Sequence, residues 1–174
     1  MKKLSLDELN RPDISSYKED KKLPVIVILD NVRSALNVGS FFRTCDAFGM
    51  QSIWLTGITA TPPNREIQKT AIGATESVHW IYVNRVEEAV LKAKDEGFQV
   101  WGVEQTDQSV LLQDFTIPSG KLALVFGNEV SGISDEILPL LDGCIEIPQV
   151  GTKHSLNVSV CGGIVLWDVF RKFQ

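Results

Sequence analysis

Several common functional signatures are missing from this 174-residue sequence. Its three cysteines, Cys45, Cys144 and Cys161, are odd in number and form no CxxC pair, so neither a disulfide framework nor a zinc site is expected. The sequence contains neither GxGxxG nor a Walker A motif, which disfavours an ordinary dinucleotide or nucleoside triphosphate site. Its two histidines form no Ser-His-Asp or Cys-His arrangement with other residues. We therefore expect no bound metal and no protease-like nucleophile.

Long apolar runs are missing as well. No apolar segment approaches the roughly 20 residues that span a bilayer, and no charged-then-apolar signal segment opens the chain. Unpaired thiols are typical of a reducing compartment. These features predict a soluble, cytoplasmic protein that does not associate with membranes.

The length and composition favour one domain. With 44% hydrophobic residues, 174 residues suffice for one well-packed core and are too few for two ordinary domains. Residues 1–22 mix six basic with five acidic side chains and have little periodic apolar content. We predict an N-terminal arm over residues 1–22 and a single domain over residues 23–174.

Buried-strand patterns alternate with helical patterns along residues 23–174. LPVIVILD, which begins at Leu23, is the near-continuous apolar run expected of a strand covered on both faces of a parallel sheet. The alternation predicts an α/β fold with a mainly parallel sheet flanked by helices. Further strands are predicted at 51–55, 77–83, 98–104, 121–127 and 145–147, and helices at 37–49, 66–74, 86–97, 134–141 and from about Ser155 onward.

The predicted last helix has two unusual features. Ser155 is a natural N-cap for it, and Gly162 and Gly163 lie inside it although each costs about 1 kcal/mol relative to Ala. The glycines indicate that something packs close to the helix backbone. Apolar residues occur on nearly all sides of this helix, which indicates that it is covered all round, and a second subunit could supply part of that cover.

Three polar, glycine-bearing loops follow predicted strands. They are NVRSALNVGS, GNEVSGIS and PQVGTKHSLN, which contain Asn37, Glu129 and Asn157 respectively. In an open parallel sheet, ligands bind beyond the carboxyl ends of the strands, so these loops should meet at one edge. Taken singly, Asn37 and Glu129 could each merely cap a helix and Asn157 could merely hold a turn. The shared edge favours a common site.

Charge is distributed unevenly along the chain. Residues 84–146 carry twelve acidic and four basic side chains, whereas residues 31–69 and 147–174 are weakly basic. The net charge of −5 therefore does not exclude a phosphate-binding face made of the two basic segments. Charge alone supports such a face only weakly, because scattered surface lysines are usually just solvated.

The loop sequences resemble a known family. NVGSFFRTCDAFG, VFGNEVSGIS and IEIPQVGTKHSLNVSVCGGIVLWD resemble, in this order, the three signature motifs of the TrmH (SpoU) type RNA ribose 2'-O-methyltransferases of the SPOUT superfamily. The resemblance implies that residues 23–174 are the whole catalytic domain and that the C-terminal segment forms a trefoil knot. It also implies a homodimer and S-adenosylmethionine as methyl donor.

The resemblance also implies roles for individual residues. Arg43 matches the arginine thought to act on the ribose hydroxyl with help from an RNA phosphate; a more conservative reading is that Arg43 fixes a phosphate and so holds the hydroxyl in line with the methyl group. Other matching active-site residues are Asn37, Glu129, Ser155 and Asn157. The matching cofactor-binding residues are Gly127, Ile147 and Leu156, with Gln105 and Thr106 as a weaker addition.

These considerations predict an S-adenosylmethionine-dependent RNA 2'-O-methyltransferase, with tRNA a better candidate than rRNA by family analogy. Many relatives carry a separate N-terminal RNA-binding domain, so here the arm, the TGITATPPNR loop and the dimer surface are expected to select the RNA. Two alternatives stay open at this point. One is a non-catalytic RNA-binding module with the same fold, and the other is a doubly wound domain that binds a different nucleotide.

Overall fold

A computed structural model of the protein describes residues 1–5, 7–118 and 120–174. Leu6 and Ser119, which fall in the predicted arm and the predicted catalytic domain, lie outside the described residues. The strands are β1 (Leu23–Asp30), β2 (Met50–Thr56), β3 (Trp80–Val83), β4 (Phe98–Val103), β5 (Val110–Leu111), β6 (Lys121–Phe126) and β7 (Gly143–Glu146).

The described strands form one parallel sheet in the order β3-β2-β1-β6-β4-β7-β5. This confirms the predicted α/β class with a mainly parallel sheet. The C-terminal trefoil knot stays a prediction. The helices are α1 (Ile14–Glu19), α2 (Ala35–Ala47), α3 (Arg65–Ala71), α4 (Ala74–Ser77), α5 (Val86–Asp95) and α6 (Val158–Lys172).

The core lies on both faces of the sheet because alternate residues of β1 point to opposite sides. Val25, Val27 and Leu29 pack with buried residues of α2, α3 and α6. Ile26 and Ile28 pack on the other face with α5. All five side chains are fully buried, as the apolar run beginning at Leu23 predicts. None of the helices in the described residues is both long enough and apolar enough to cross a membrane.

Two predicted helices are interrupted. The predicted helix at 66–74 ends at Ala71 as α3, because Ile72 and Gly73 adopt left-handed backbone conformations with φ of 50° and 85°, and the separate helix α4 begins at Ala74. The segment 134–141 forms turns and a 3₁₀ turn at Leu138–Leu140. Pro139 lies within it, and a proline in a helix interior removes a hydrogen bond and clashes with the preceding turn.

The prediction that Ser155 caps the last helix is wrong. The N-cap of α6 is Asn157, whose Oδ1 accepts hydrogen bonds from the backbone N–H groups of Ser159 and Val160 at 3.0 and 3.3 Å. Ser155 and Asn157 are both favourable capping residues two positions apart, so local sequence does not decide between them. The helix therefore begins at Val158.

Helices α2 and α6 pack side by side and run in the same direction. Their first turns meet at Asn37 and Ser159, whereas Phe48, after the end of α2, stacks with Phe170 near the end of α6, with ring centroids 5.3 Å apart. A Cβ atom added at Gly162 would overlap the Phe41 ring, so this glycine permits the close packing that the sequence predicts. Gly163 has no such neighbour within 4 Å.

One side of α6 is only partly covered by the described residues. Val160, Ile164 and Trp167 recur at helical spacing on this side, and their exposed fractions are 52%, 40% and 52%. Leu36, at the start of α2, is also exposed. We refer to Leu36, Val160, Ile164 and Trp167 as the apolar stripe.

The N-terminal arm docks at the amino-end edge of the sheet. Tyr17 donates its hydroxyl hydrogen to the backbone oxygen of Asp46 at 2.7 Å, near the end of α2. The backbone N–H of Leu23 bonds the oxygen of Gly49, which places the end of α2 beside the start of β1. The arm therefore lies at the opposite edge from the loops that follow the strands.

Candidate active site

The three predicted loops meet at the carboxyl edge of the sheet, where Glu129, Asn37 and Asn157 form a chain of hydrogen bonds. Asn37 Nδ2 donates to Glu129 Oε1 at 2.8 Å. Asn157 Nδ2 donates to Asn37 Oδ1 at 3.3 Å, and the Ser159 hydroxyl donates to the same oxygen at 3.2 Å. These hydrogen bonds link the loop after β6 to the first turns of both α2 and α6.

The Glu129 carboxylate is exposed to solvent but held by donors on several sides. Its Oε2 accepts from the backbone N–H of Arg33 at 3.0 Å, and its Oε1 accepts from that of Ser34 at 3.1 Å as well as from Asn37. Partial burial would raise the pKa of Glu129, but the hydrogen bonds outweigh it and hold the pKa below its usual value. Glu129 is therefore ionised at neutral pH and acts as a fixed acceptor rather than as a ready proton acceptor.

The loop after β6 is clamped by acidic residues from the two neighbouring strands. Asp30, at the end of β1, is fully buried and accepts from the backbone N–H of Ser134 at 2.7 Å. Glu104, after β4, accepts from the backbone N–H of Ile133 at 3.1 Å. Gly127 packs directly against the backbone of Gly132, and a Cβ atom there would overlap it. These contacts fix the position of Glu129 within the loop.

A cavity of about 640 Å³ opens beside the hydrogen-bonded chain. All five predicted cofactor-binding residues line it, together with Glu129, Ser155 and Asn157 of the predicted active site. The cofactor-binding residues are Gln105, Thr106, Gly127, Ile147 and Leu156.

The cavity wall has an unusual charge. Four carboxylate side chains line it, and no lysine or arginine does among the described residues. Cys161 also lines the cavity, but burial raises the pKa of its thiol to about 11, so it is not a ready nucleophile. The described residues include no group of three or more His, Cys, Asp or Glu placed to hold a metal. The four carboxylates are Glu104, Glu129, Asp135 and Glu146.

Arg43 does not join this cluster. It is exposed on α2, does not line the cavity, and takes no part in the hydrogen bonds and ion pairs found among the described residues. Asn37 lies behind the cavity wall and reaches it through Glu129 and Asn157. The structure thus brings four of the five predicted active-site residues to one place and leaves Arg43 on an outer face.

Several residues of the site are missing from the sequence-based prediction. Ser34 caps α2 and presents its N–H to Glu129, and Ser159 holds Asn37. Asp30 and Glu104 position the loop. The signal that could have found the last two is an acidic residue directly at the carboxyl end of an apolar strand.

Comparison with known proteins gives a consistent family. Residues 24–167 match the model of the SpoU rRNA Methylase family. A protein of Staphylococcus aureus assigned to the TrmH family of tRNA/rRNA methyltransferases is 33% identical over 162 residues, which are 91% of this chain and 63% of that protein. The chain therefore spans less than two thirds of that relative's length.

Two further comparisons agree. The tRNA (guanosine(18)-2'-O)-methyltransferase of Aquifex aeolicus is 35% identical over 160 residues, which are 88% of this chain and 72% of that protein. The structure of an AdoMet-bound rRNA methyltransferase from Sinorhizobium meliloti superposes with a TM-score of 0.82 at 27% identity, covering 91% of this chain and 60% of that one. The chain belongs to the SpoU (TrmH) family of RNA methyltransferases.

Proposed function

We propose that this chain transfers a methyl group from S-adenosylmethionine to a ribose 2'-hydroxyl of an RNA. The observation that carries the proposal is the acidic cavity that adjoins the Glu129–Asn37–Asn157 chain of hydrogen bonds in a protein of this family. The cavity suits the methyl donor, and the hydrogen-bonded side chains beside it suit the ribose hydroxyl that accepts the methyl group.

The negative charge of the cavity favours S-adenosylmethionine as the methyl donor. S-adenosylmethionine carries a sulfonium and an ammonium group against one carboxylate, and it has no phosphate. A wall with carboxylates and no basic side chain attracts such a cation and repels the phosphates of NAD or ATP. Backbone groups at Gly127, Ile147 and Leu156 would hold the adenosine part, with Gln105 and Thr106 at the far wall. The relative from Sinorhizobium meliloti is described as AdoMet-bound.

When bound, S-adenosylmethionine would supply an electrophilic methyl group, and its transfer to the ribose oxygen would release the neutral thioether product and one proton to solvent water. The residues of this chain must hold the hydroxyl in line and stabilise the developing negative charge on oxygen. The first turns of α2 and α6 meet at Asn37, and the positive dipole end of α6 would favour such a charge. Ser155 and Asn157, at the mouth of the cavity, are the proposed contacts of the ribose.

Arg43 is the proposed group that acts from outside the cavity. Its guanidinium stays protonated, so it would fix an RNA phosphate beside the ribose rather than take the proton. It is exposed on the same helix pair as the apolar stripe. A second copy that covers the stripe would bring Arg43 to the subunit boundary.

A homodimer is part of the proposal. The apolar stripe lies on two packed helices, and exposed apolar residues grouped in this way are typical of protein interfaces. Gly163 leaves room for the close approach of a partner helix, because no described atom other than those of its chain neighbours and the surrounding α6 backbone lies within 4 Å of the position that a Cβ atom would occupy there. A trefoil knot in the C-terminal segment and a cytoplasmic location complete the proposal.

The proposed substrate is tRNA in preference to rRNA. The relative from Aquifex aeolicus is named for a guanosine in tRNA, and the relative from Staphylococcus aureus is assigned to both RNA classes. Incubation of the protein with methyl-labelled S-adenosylmethionine and either bulk tRNA or bulk rRNA tests this choice. Label in tRNA is the expected result. RNA binding without transfer to either RNA would instead indicate the non-catalytic module.

A further inference from the structure

The surroundings of the Glu129 site are electrostatically asymmetric. On the β4–β7 side lies the cavity with its carboxylates. On the β1–β3 side lie Arg33, in the loop after β1, and Arg65, at the start of α3. Both arginines are exposed, and neither forms an ion pair within the described parts of the chain. A polyanion that reaches the site is therefore attracted by Arg33 and Arg65 and repelled by the carboxylates of the cavity.

Exposed apolar and aromatic groups lie on the same side. Ile58, in the loop after β2, is 67% exposed, and Tyr82, in the edge strand β3, is 48% exposed. Tyr82 donates its hydroxyl hydrogen to the backbone oxygen of Gly57 at 3.0 Å, which fixes the ring beside the loop. Exposed aromatic rings next to arginines are the usual platform on which proteins stack unpaired bases.

Hydrogen bonds join the loops after β1 and β2 into one surface that ends at Glu129, and Arg65 follows in the chain at the start of α3. Asn31 Oδ1 accepts from the backbone N–H of Ile58 at 3.1 Å, and the Thr59 hydroxyl accepts from the backbone N–H of Val32 at 2.9 Å. The next residue, Arg33, presents its N–H to Glu129. We refer to Arg33, Ile58, Arg65 and Tyr82 as the ridge.

The backbones of the loops after β1 and β2 are also held against each other. Asn31 and Gly57 both adopt left-handed conformations, with φ of 52° and 58°, and the Asn31 side chain packs against Gly57. The backbones of these two loops therefore lose little conformational entropy when they bind a partner.

We propose that the ridge binds the single-stranded RNA segment next to the methylated nucleotide, with Arg33 and Arg65 on phosphates and Tyr82 under a base. The inference rests on the proposed function, because it takes RNA as the substrate. It adds the direction of approach: the RNA crosses the loops after β1, β2 and β3 and enters the site past Arg33. The N-terminal arm, docked at the opposite edge of its own chain, does not supply these contacts.

The test measures binding of a fluorescein-labelled, mixed-sequence oligoribonucleotide of about 12 nucleotides over a range of salt concentrations. Arg33→Ala and Arg65→Ala should each make the slope of log affinity against log salt shallower by about 0.7, the value for one lost phosphate contact on a single strand. Arg33→Ala keeps the N–H that Glu129 accepts, so the site itself stays intact. Lys121→Ala, which removes an exposed cation at the amino end of β6, is the control and should leave the slope unchanged.

Substitutions of Tyr82 provide an independent test. Tyr82→Ala should weaken oligonucleotide binding about tenfold through lost stacking, whereas Tyr82→Phe keeps the ring and should bind nearly as wild type. Unchanged affinity and slope in all ridge variants, or an equal change of slope in Lys121→Ala, would overturn the ridge proposal.

Two controls separate this outcome from failure of the proposed function. Every ridge variant should bind S-adenosylmethionine as the wild type does in calorimetry, and should show a raised KM for RNA with little change in kcat. If the wild-type protein binds neither the oligonucleotide nor S-adenosylmethionine, the proposed function itself is wrong. If it binds both and the ridge variants match it, only the ridge assignment is wrong.

Discussion

Asn37 donates its side-chain hydrogen bond to Glu129 across 92 positions of the sequence, at 2.8 Å. The other end of the same carboxamide accepts from Asn157 and Ser159. A single side chain thus fixes the relative positions of the loop after β6 and the starts of α2 and α6. A group with both a donor and an acceptor end is required there, and neither aspartate nor leucine of similar size could replace it.

The Glu129 contribution to stability should depend on pH. Because its pKa in the folded protein lies below the usual value of about 4.5, the ionised form favours folding. This contribution is complete above about pH 4.5 and is lost as the pH falls through the lower pKa of the folded state. Since Glu129 is exposed, screening limits it to about 1 kcal/mol or less.

Urea unfolding of the wild type and Glu129→Gln measures this effect. The wild type should be the more stable at pH 7, and the difference should shrink as the pH falls below about 4.5. A difference that grows on acidification would contradict the assigned hydrogen bonds.

Gly127→Val should abolish binding of S-adenosylmethionine at micromolar concentrations. The new side chain would overlap the backbone of Gly132 and displace the loop that carries Glu129. Gly151→Val is the matched control, because a Cβ atom there has no described neighbour within 4 Å. Calorimetry should find that the control binds S-adenosylmethionine about as tightly as the wild type does. Equal affinity in both variants would contradict binding of the cofactor in this cavity.

The apolar stripe should mediate association. The wild-type protein should sediment near twice its chain mass of 19.3 kDa, and Ile164→Glu should sediment as a monomer because it places a charge in the proposed interface. Leu91→Glu, on α5 at the other face of the sheet, is the control, since Leu91 is 50% exposed outside the stripe. A wild-type monomer at micromolar concentration is the result that rules out the dimer.

Arg43→Ala should lower methyl transfer by roughly 10²-fold or more while leaving the fold and cofactor affinity intact, because its side chain makes no hydrogen bond among the described residues. Arg43→Lys should also be poorly active, since an ammonium keeps the charge but lacks the planar fork. Single-turnover rates with saturating RNA provide the measurement. Near wild-type transfer by a folded Arg43→Ala protein would mean that Arg43 is a surface residue without a catalytic role.

The parts of this fold that the sequence predicted are those with long and strongly patterned segments. The apolar run of β1 and the rule that ligands bind at the carboxyl edge of a parallel sheet were sufficient to bring Asn37, Glu129 and Asn157 together. The choice between Ser155 and Asn157 as N-cap was beyond local sequence, because both residue types cap well. The two-residue strand β5 was too short to produce any pattern.

Other features of the site depend on three-dimensional packing. That Asp30 and Glu104 clamp one loop follows from the positions of β1 and β4 on either side of β6, and sequence order does not reveal those neighbours. Helical periodicity predicts that Arg43 lies on an exposed face of α2, but it does not identify the group that Arg43 contacts.

The most direct test of the proposed chemistry is the position of the transferred methyl group. Wild-type protein, labelled S-adenosylmethionine and bulk tRNA should yield label in 2'-O-methylated nucleosides after digestion. Alkaline hydrolysis should leave the labelled linkage intact, because a methylated 2'-oxygen cannot attack the neighbouring phosphate. Label on a base, or no label in any RNA under conditions where the protein binds S-adenosylmethionine, would contradict ribose 2'-O-methylation by this site.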